Sequence, residues 1–365
     1  MEPTPYAPAT PGFSRRALAG LLLAAAGIPA SLLADFSWES TVGIDRAWSP
    51  AHVATYLAVA LAGALALRAL TRRGGGVRLG KWHAPLGAWV VLWGAVAFAG
   101  AVVFDRWWQE GYGLAAGIWH PPQILKAVAF FAVLAGVWLA AAPRRATAFA
   151  AAGGLLLAMT AVCTLVAAYP NRQHAATFYQ LACGTYPVVL TALAAAGTRR
   201  FSATAAALIY TGLMGAAVWL LPLIPAQPQV APIYHALDHL MPPPFPLLLV
   251  LPALAVDALL RVCPGRAHAG RQAVECGLAF FLVFTLVQWP FAEFLLTPAA
   301  DGWFFAGGGR HWPFFLKMDP RAQVVFWPAP GDEINLRSGL ITAGLAVLAA
   351  RAGLGIGAWL KRVQR

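Results

Sequence analysis

The chain has 365 residues, of which 60% are hydrophobic and only 11% charged, against roughly 25% charged in soluble domains. With a mean hydropathy of +0.66, it has too little polar surface for a soluble enzyme or a disordered chain of this length. Four cysteines are too few for a disulfide scaffold. The net charge of +12 comes as short basic clusters between apolar runs, which is the positive-inside pattern of a polytopic membrane protein and not the footprint of a nucleic-acid binder.

Ten apolar segments are long enough to cross about 30 Å of hydrocarbon. In chain order they are 16–34, 51–70, 85–104, 122–142, 147–169, 175–197, 203–225, 242–262, 275–297 and 338–360. Lipid offers backbone N–H and C=O groups no partner, so each is expected to be helical. The fold class predicted is an all-α transmembrane bundle of about ten spans in five hairpins, a single integral membrane domain over 1–365.

The basic clusters orient it. Arg15 and Arg16; Arg68, Arg72, Arg73, Arg78 and Lys81; Arg144 and Arg145; Arg199 and Arg200; Arg261, Arg266 and Arg271; and Arg351, Lys361, Arg362 and Arg365 fall on one side. That side is expected to be cytoplasmic, with both termini and a tail at 1–15. Ser14-Arg15-Arg16 before an apolar run also suits a twin-arginine export signal. The retained reading fits an even number of spans. The Ala- and Arg-rich composition suits the inner membrane of a high-GC bacterium. The one long connection, 298–337, is rich in aromatics and is expected to pack on the membrane surface or cap the bundle on the outer side.

Two loops on the predicted outer face repeat one another. The first reads Asp35-Phe36-Ser37-Trp38-Glu39, then Gly43, then Trp48-Ser49-Pro50-Ala51-His52. The second reads Asp105-Arg106-Trp107-Trp108-Gln109, then Gly113, then Trp119-His120-Pro121-Pro122-Gln123. Asp35 and Glu39 share a face if the first helix continues past the membrane. Ser49-Pro50 is a helix start, which puts His52 in a first turn, where the positive helix end disfavours imidazolium. Asp35, Glu39 and His52 make a two-oxygen, one-nitrogen set suited to a divalent metal. Asp105, Gln109, His120 and Gln123 are the weaker counterparts of the second copy.

A third cluster precedes the eighth span. His235 and His239 are four apart, so a helix there would present both imidazoles, with Asp238 behind them. His174 reads as a plain loop residue. Three charges lie within spans: Asp257, Glu293 and Arg351. Asp257 and Arg351 either pair or Arg351 snorkels, and Lys126 is level with Glu293 near the predicted outer surface. No Cys-x-x-Cys, Walker loop or Gly-rich dinucleotide turn is present in the sequence.

The doubled Asp-x-x-Trp-x…Gly…Trp-x-Pro pattern resembles a group of uncharacterised polytopic bacterial membrane proteins. In that group the fifth position and the position after the prolines are often His. Glu39 and His52 stand there in copy one, Gln109 and Gln123 in copy two. Copy one also resembles the Asp-x3-His-x12-His metal motif in the C subunit of particulate methane and ammonia monooxygenases, with Glu39 in place of the middle His. The match covers about 18 residues of 365. It implies a metal site and does not extend to monooxygenase activity.

Three functions fit these observations. The leading one is a metal-binding or redox-linked site at the periplasmic mouth. It would hold a divalent transition metal (copper, iron or zinc) on Asp35, Glu39 and His52, with His235, Asp238 and His239 joining. The second is a transporter or lipid-handling permease that uses the in-membrane charges. The third is a scaffold or assembly factor for a second membrane or periplasmic subunit.

Overall fold

The computed structural model describes residues 13–43, 47–71, 76–113, 119–141, 145–168, 173–227, 229, 238–262, 269–300, 304–305 and 330–363. Its helices are α1 (Arg15–Thr41), α2 (Pro50–Thr71), α3 (Leu86–Tyr112), α4 (Pro121–Ala141), α5 (Ala146–Ala168), α6 (Ala176–Ala196), α7 (Ser202–Leu220), α8 (Val250–Val262), α9 (Ala269–Leu295) and α10 (Leu336–Val363). Among the described residues nine of these are long and apolar enough to cross a membrane. The chain is all-α in class and has the make-up of a multi-pass membrane protein.

The repeat is a repeat of structure. Helices α1 and α3 each run 27 residues, past the predicted ends of their spans, so Asp35 and Glu39 do share a helix. Gly43 and Gly113, at matching positions just past the two helices, have φ of 86° and 85°. A side chain there would be strained, which gives both glycines a conformational reason. Ser49 caps the next helix as expected: its Oγ accepts from the His52 N–H at 3.2 Å.

Close packing comes from small residues. A Cβ at Gly87 or Gly136 would strike the facing backbone of α4 or α3, and one at Gly353 would strike Thr191 and the Val188 carbonyl. These contacts let α3 lie on α4, and α10 on α6, at backbone distance. Asp332, ahead of α10, ties down α6: its carboxylate accepts from the Thr177 N–H (2.8 Å) and hydroxyl (2.6 Å).

The eighth span departs from prediction. Helix α8 begins only at Val250, and Met241–Leu249 is largely buried, non-helical chain. Four of those nine residues are prolines, which carry no N–H to satisfy. Several of the remaining donors have partners. Met241 N–H goes to Thr41 Oγ1 (2.8 Å), Leu247 N–H to the Tyr210 hydroxyl (3.0 Å) and Leu248 N–H to Gln288 Oε1 (3.0 Å). Gln288 in turn donates to Gln173 Oε1 at 2.7 Å. Non-helical backbone at this depth is tolerated because protein, not lipid, surrounds it.

A short sheet was not foreseen. Val77–Leu79 and Trp82–Ala84 pair as a short antiparallel hairpin within the basic connection of α2 and α3. Of the aromatic segment 298–337, Phe304 and Phe305 pack against Trp219, Phe245 and Phe294, and 301–303 and 306–329 lie outside the described residues.

Replacing Gln288 by Leu strands the Leu248 N–H and removes the hydrogen bond to Gln173. We expect a loss of about 1–3 kcal/mol, read as a lowered unfolding midpoint in detergent. An unchanged midpoint would mean that the extended segment draws no support from this side chain.

Candidate functional site

The two repeat units bring their polar groups to one cavity of about 500 Å³. From the first unit Asp35, Glu39 and His52 line it, and from the second Gln123 and Lys126. The remaining wall is mostly apolar or aromatic, with Leu32, Tyr56, Phe98, Phe130, Phe131 and Met159 among its members. All of these elements meet near one end of the bundle, where α1, α3 and α5 finish and α2, α4 and α6 begin. Along α4 the lining runs from Gln123 to Phe131, about 12 Å of helix axis.

At the polar end His52 Nε2 lies 3.1 Å from Asp35 Oδ2, both side chains being largely buried. The second unit places Lys126 Nζ 2.6 Å from Asp105 Oδ2, where Gln109 Nε2 also donates at 3.1 Å. Each aspartate thus uses Oδ2 for its cross-hairpin partner. In each, Oδ1 is buried and has no hydrogen-bond partner among the described residues. A buried carboxylate oxygen without a donor is costly and calls for one.

The threonine hydroxyls of the wall are already engaged. Thr160 donates to the Leu156 carbonyl (2.8 Å) and Thr185 to that of Leu181 (2.7 Å), while Thr55 lies 2.8 Å from Ser31 Oγ and Thr164 2.9 Å from the Tyr186 hydroxyl. The cavity therefore has an acidic, hydrogen-bonding end and a body that behaves as apolar.

The other candidates do not line this cavity. His120 packs edge-on to Trp108 beside the second repeat, and its carbonyl accepts from Ile124 in the first turn of α4. His239 Nδ1 is 2.6 Å from Asp238 Oδ1, and His239 forms an isolated bridge with Pro225. Residues 238–240 are thus not helical, so the expected two-imidazole helical face does not form there; His235 lies outside the described residues. Asp257 is buried on α8 and accepts from the Thr204 N–H (2.8 Å) and hydroxyl (2.7 Å), supplying the start of α7 with the cap that Phe201 cannot. Arg351 is exposed on α10, so Asp257 and Arg351 do not pair. Glu293 is exposed and accepts from Trp289 Nε1 at 3.0 Å.

A metal centre needs several donors aimed at one point. Asp35 and His52 are instead partners of each other. Among the described residues no three His, Cys, Asp or Glu side chains gather as a metal-holding group. No step is derived through a metal ion.

Sequence reading placed Lys126 near the mouth without its partner, and it took His174 for a loop residue. His174 is buried, edge-on to Trp289 at 4.5 Å, in the turn before α6. Burial pushes its pKa below the ordinary imidazole value, with Glu293 opposing. No family model matches the chain, and neither curated proteins nor solved structures match it.

Two outcomes follow. Lys126→Met leaves Asp105 charged and buried without its cation; we expect a loss of up to about 3 kcal/mol, largely regained when Asp105→Asn is added, as unfolding midpoints would show. His174 takes up a proton less readily in the folded state than in the unfolded chain. Stability should therefore fall as pH drops through about 6.5, and His174→Gln should flatten that slope. Equal slopes in both proteins would remove His174 from the titration.

Proposed function

We propose that the chain is a multi-pass protein of the bacterial inner membrane that binds a small amphiphile in this cavity. The observation that carries the proposal is the union of an acidic hydrogen-bonding end with an apolar body in one space. About 500 Å³ falls within the range of pockets for drug-sized ligands, about 300–1,000 Å³. That suits a ring or a single chain with a compact head.

The head is specified by what it would meet. Asp35 Oδ1 lacks a donor among the described residues, Glu39 lies beside it, and Lys126 is already neutralised by Asp105. A hydroxyl or an ammonium would supply the missing hydrogen bond. A carboxylate head would meet the Asp35 carboxylate, a group of like charge that offers it no donor. His52, joined to Asp35, is placed to exchange a proton with such a head. The positive-inside pattern puts this end of the bundle on the periplasmic side. This reading belongs with the permease or lipid-handling class and uses the rim residues instead of Asp257, Glu293 and Arg351.

The test is binding to the full chain in vesicles, using a long-chain alkyl alcohol, the matching alkylamine and the matching fatty acid. Alcohol or amine should bind at least tenfold more tightly than the acid, and Asp35→Asn or His52→Ala should remove most of that preference, about 1.4 kcal/mol per tenfold. Equal binding of all three, or none, would overturn the proposal. So would a stoichiometric bound metal that is lost with His52→Ala.

A further inference from the structure

We infer that the ligand reaches the cavity sideways from the bilayer, through a gap between α4 and α6 floored by α5. The inference rests on the amphiphile reading above and adds the route and the source: a molecule dissolved among the lipid chains.

Three cavity-lining residues of the second unit are at the same time open on the flank of the bundle. Trp119 is 77% exposed, Ile124 43% and Val128 57%. Ile124 and Val128 are four apart and so lie one above the other on one side of α4. Side chains that face both the cavity and the surroundings mark an opening in the wall between them.

The opposite jamb is α6. Leu181 and Thr185 line the cavity from there and are only partly buried. Gly184, three residues on from Leu181 and so on the same side of the helix, faces open space: among the described residues a Cβ built on it meets no atom within 4 Å. The glycines that pack helices in this chain, such as Gly87, Gly136 and Gly353, meet backbone at once. Gly184 is different, and leaves the jamb one side chain short. Between the jambs Met159, Thr160 and Cys163 of α5 form the floor, and α5 packs against both α4 and α6.

The chemistry favours this side route. Asp35, Glu39, His52, Gln123 and Lys126 are collected toward one end of the cavity. A tail arriving through that end would have to desolvate charged groups on its way in. A tail arriving between Val128 and Leu181 leaves lipid for an apolar wall and drags only its head to Asp35. Both end points are then reached with each part of the ligand in a medium that suits it.

The experiment uses the full chain in vesicles and a long-chain alkyl alcohol carrying a diazirine near the tail end. Photolysis should label the α4 and α6 flank around Val128, Leu181 and Thr185. Gly184→Trp and Val128→Trp, which add bulk to the two jambs, should each slow both uptake from the vesicle and release at least tenfold. Gly184→Ala should leave both rates within twofold. Gly184→Trp changes no residue that lines the cavity, so its affinity should stay within twofold of wild type; a Trp variant that no longer folds is caught by its unfolding midpoint, and the labelling pattern then decides alone. Labels confined to the loops at 42–49 and 113–120, or unchanged rates in a folded Gly184→Trp protein that still binds, would overturn the side route and leave the amphiphile reading standing. No binding by wild type would remove both.

Discussion

A backbone in hydrocarbon must find every one of its hydrogen bonds within the protein, and most of this structure follows from that demand. Nine described helices meet it alone, each bonding its own carbonyls to its own amides. The stretch before α8 cannot, because Pro242, Pro243, Pro244 and Pro246 forbid a helix. The same prolines remove four donors, so the cost of leaving the helix falls just where it is incurred. What remains is met from three directions, by Thr41 on α1, Tyr210 on α7 and Gln288 on α9. This extended chain is therefore a tie between the first unit and the later helices, and its rigidity depends on side chains distant in sequence. The Gln288–Gln173 bond carries the tie on to the turn that buries His174 beside Trp289.

Duplication supplied the other organising element, and divergence gave it chemistry. Both units end a long helix near a positive-φ glycine and aim an aspartate at the following helix. The partner differs. Lys126 sets an ammonium against the Asp105 carboxylate at 2.6 Å, a largely buried pair whose removal on one side is expensive. His52 instead sets an imidazole, with its two ring nitrogens, against the carboxylate of Asp35. One copy holds an Asp–Lys pair and the other an Asp–His pair, on scaffolds that remain nearly superimposable in sequence spacing.

Much of this was legible in the residues. Periodicity and length located the long helices because lipid removes the alternatives, and the doubled Asp…Gly…Trp-x-Pro spacing pointed to the rim. Asp35, Glu39 and His52 do face one cavity. What the chain did not disclose is pairing. The partner of Asp105 is Lys126, which lies three residues beyond the motif and depends on the relative rotation of α3 and α4. Asp257 looks like a stray membrane charge until the bare start of α7 is set against it. Hydropathy could not separate a helix from an extended segment over 242–249, since both are apolar; the proline run was the signal, and its meaning needed Tyr210 and Gln288. His-x-x-x-His at 235–239 carried a helical assumption that the described backbone at 238–240 does not keep.

The cavity's polarity runs one way, and this has a mechanical consequence. Thr160 and Thr185 bend their hydroxyls back to their own helices, so they contribute methyl groups to the space and compete for no ligand. With those groups silent, the free energy of the proposed amphiphile would be set by two nearly independent contacts: tail against wall, and head against Asp35. The tail term is non-directional and tolerates many chains. The head term is directional and, through His52, sensitive to proton transfer. Affinity and selectivity thereby reside in different parts of one site, and a change in the protonation of the Asp35–His52 pair alters the second while leaving the first in place. On the proposed reading, such a division would let a membrane-dissolved molecule be held loosely by its chain and released by its head, without any movement of the tightly packed α3–α4 and α6–α10 contacts.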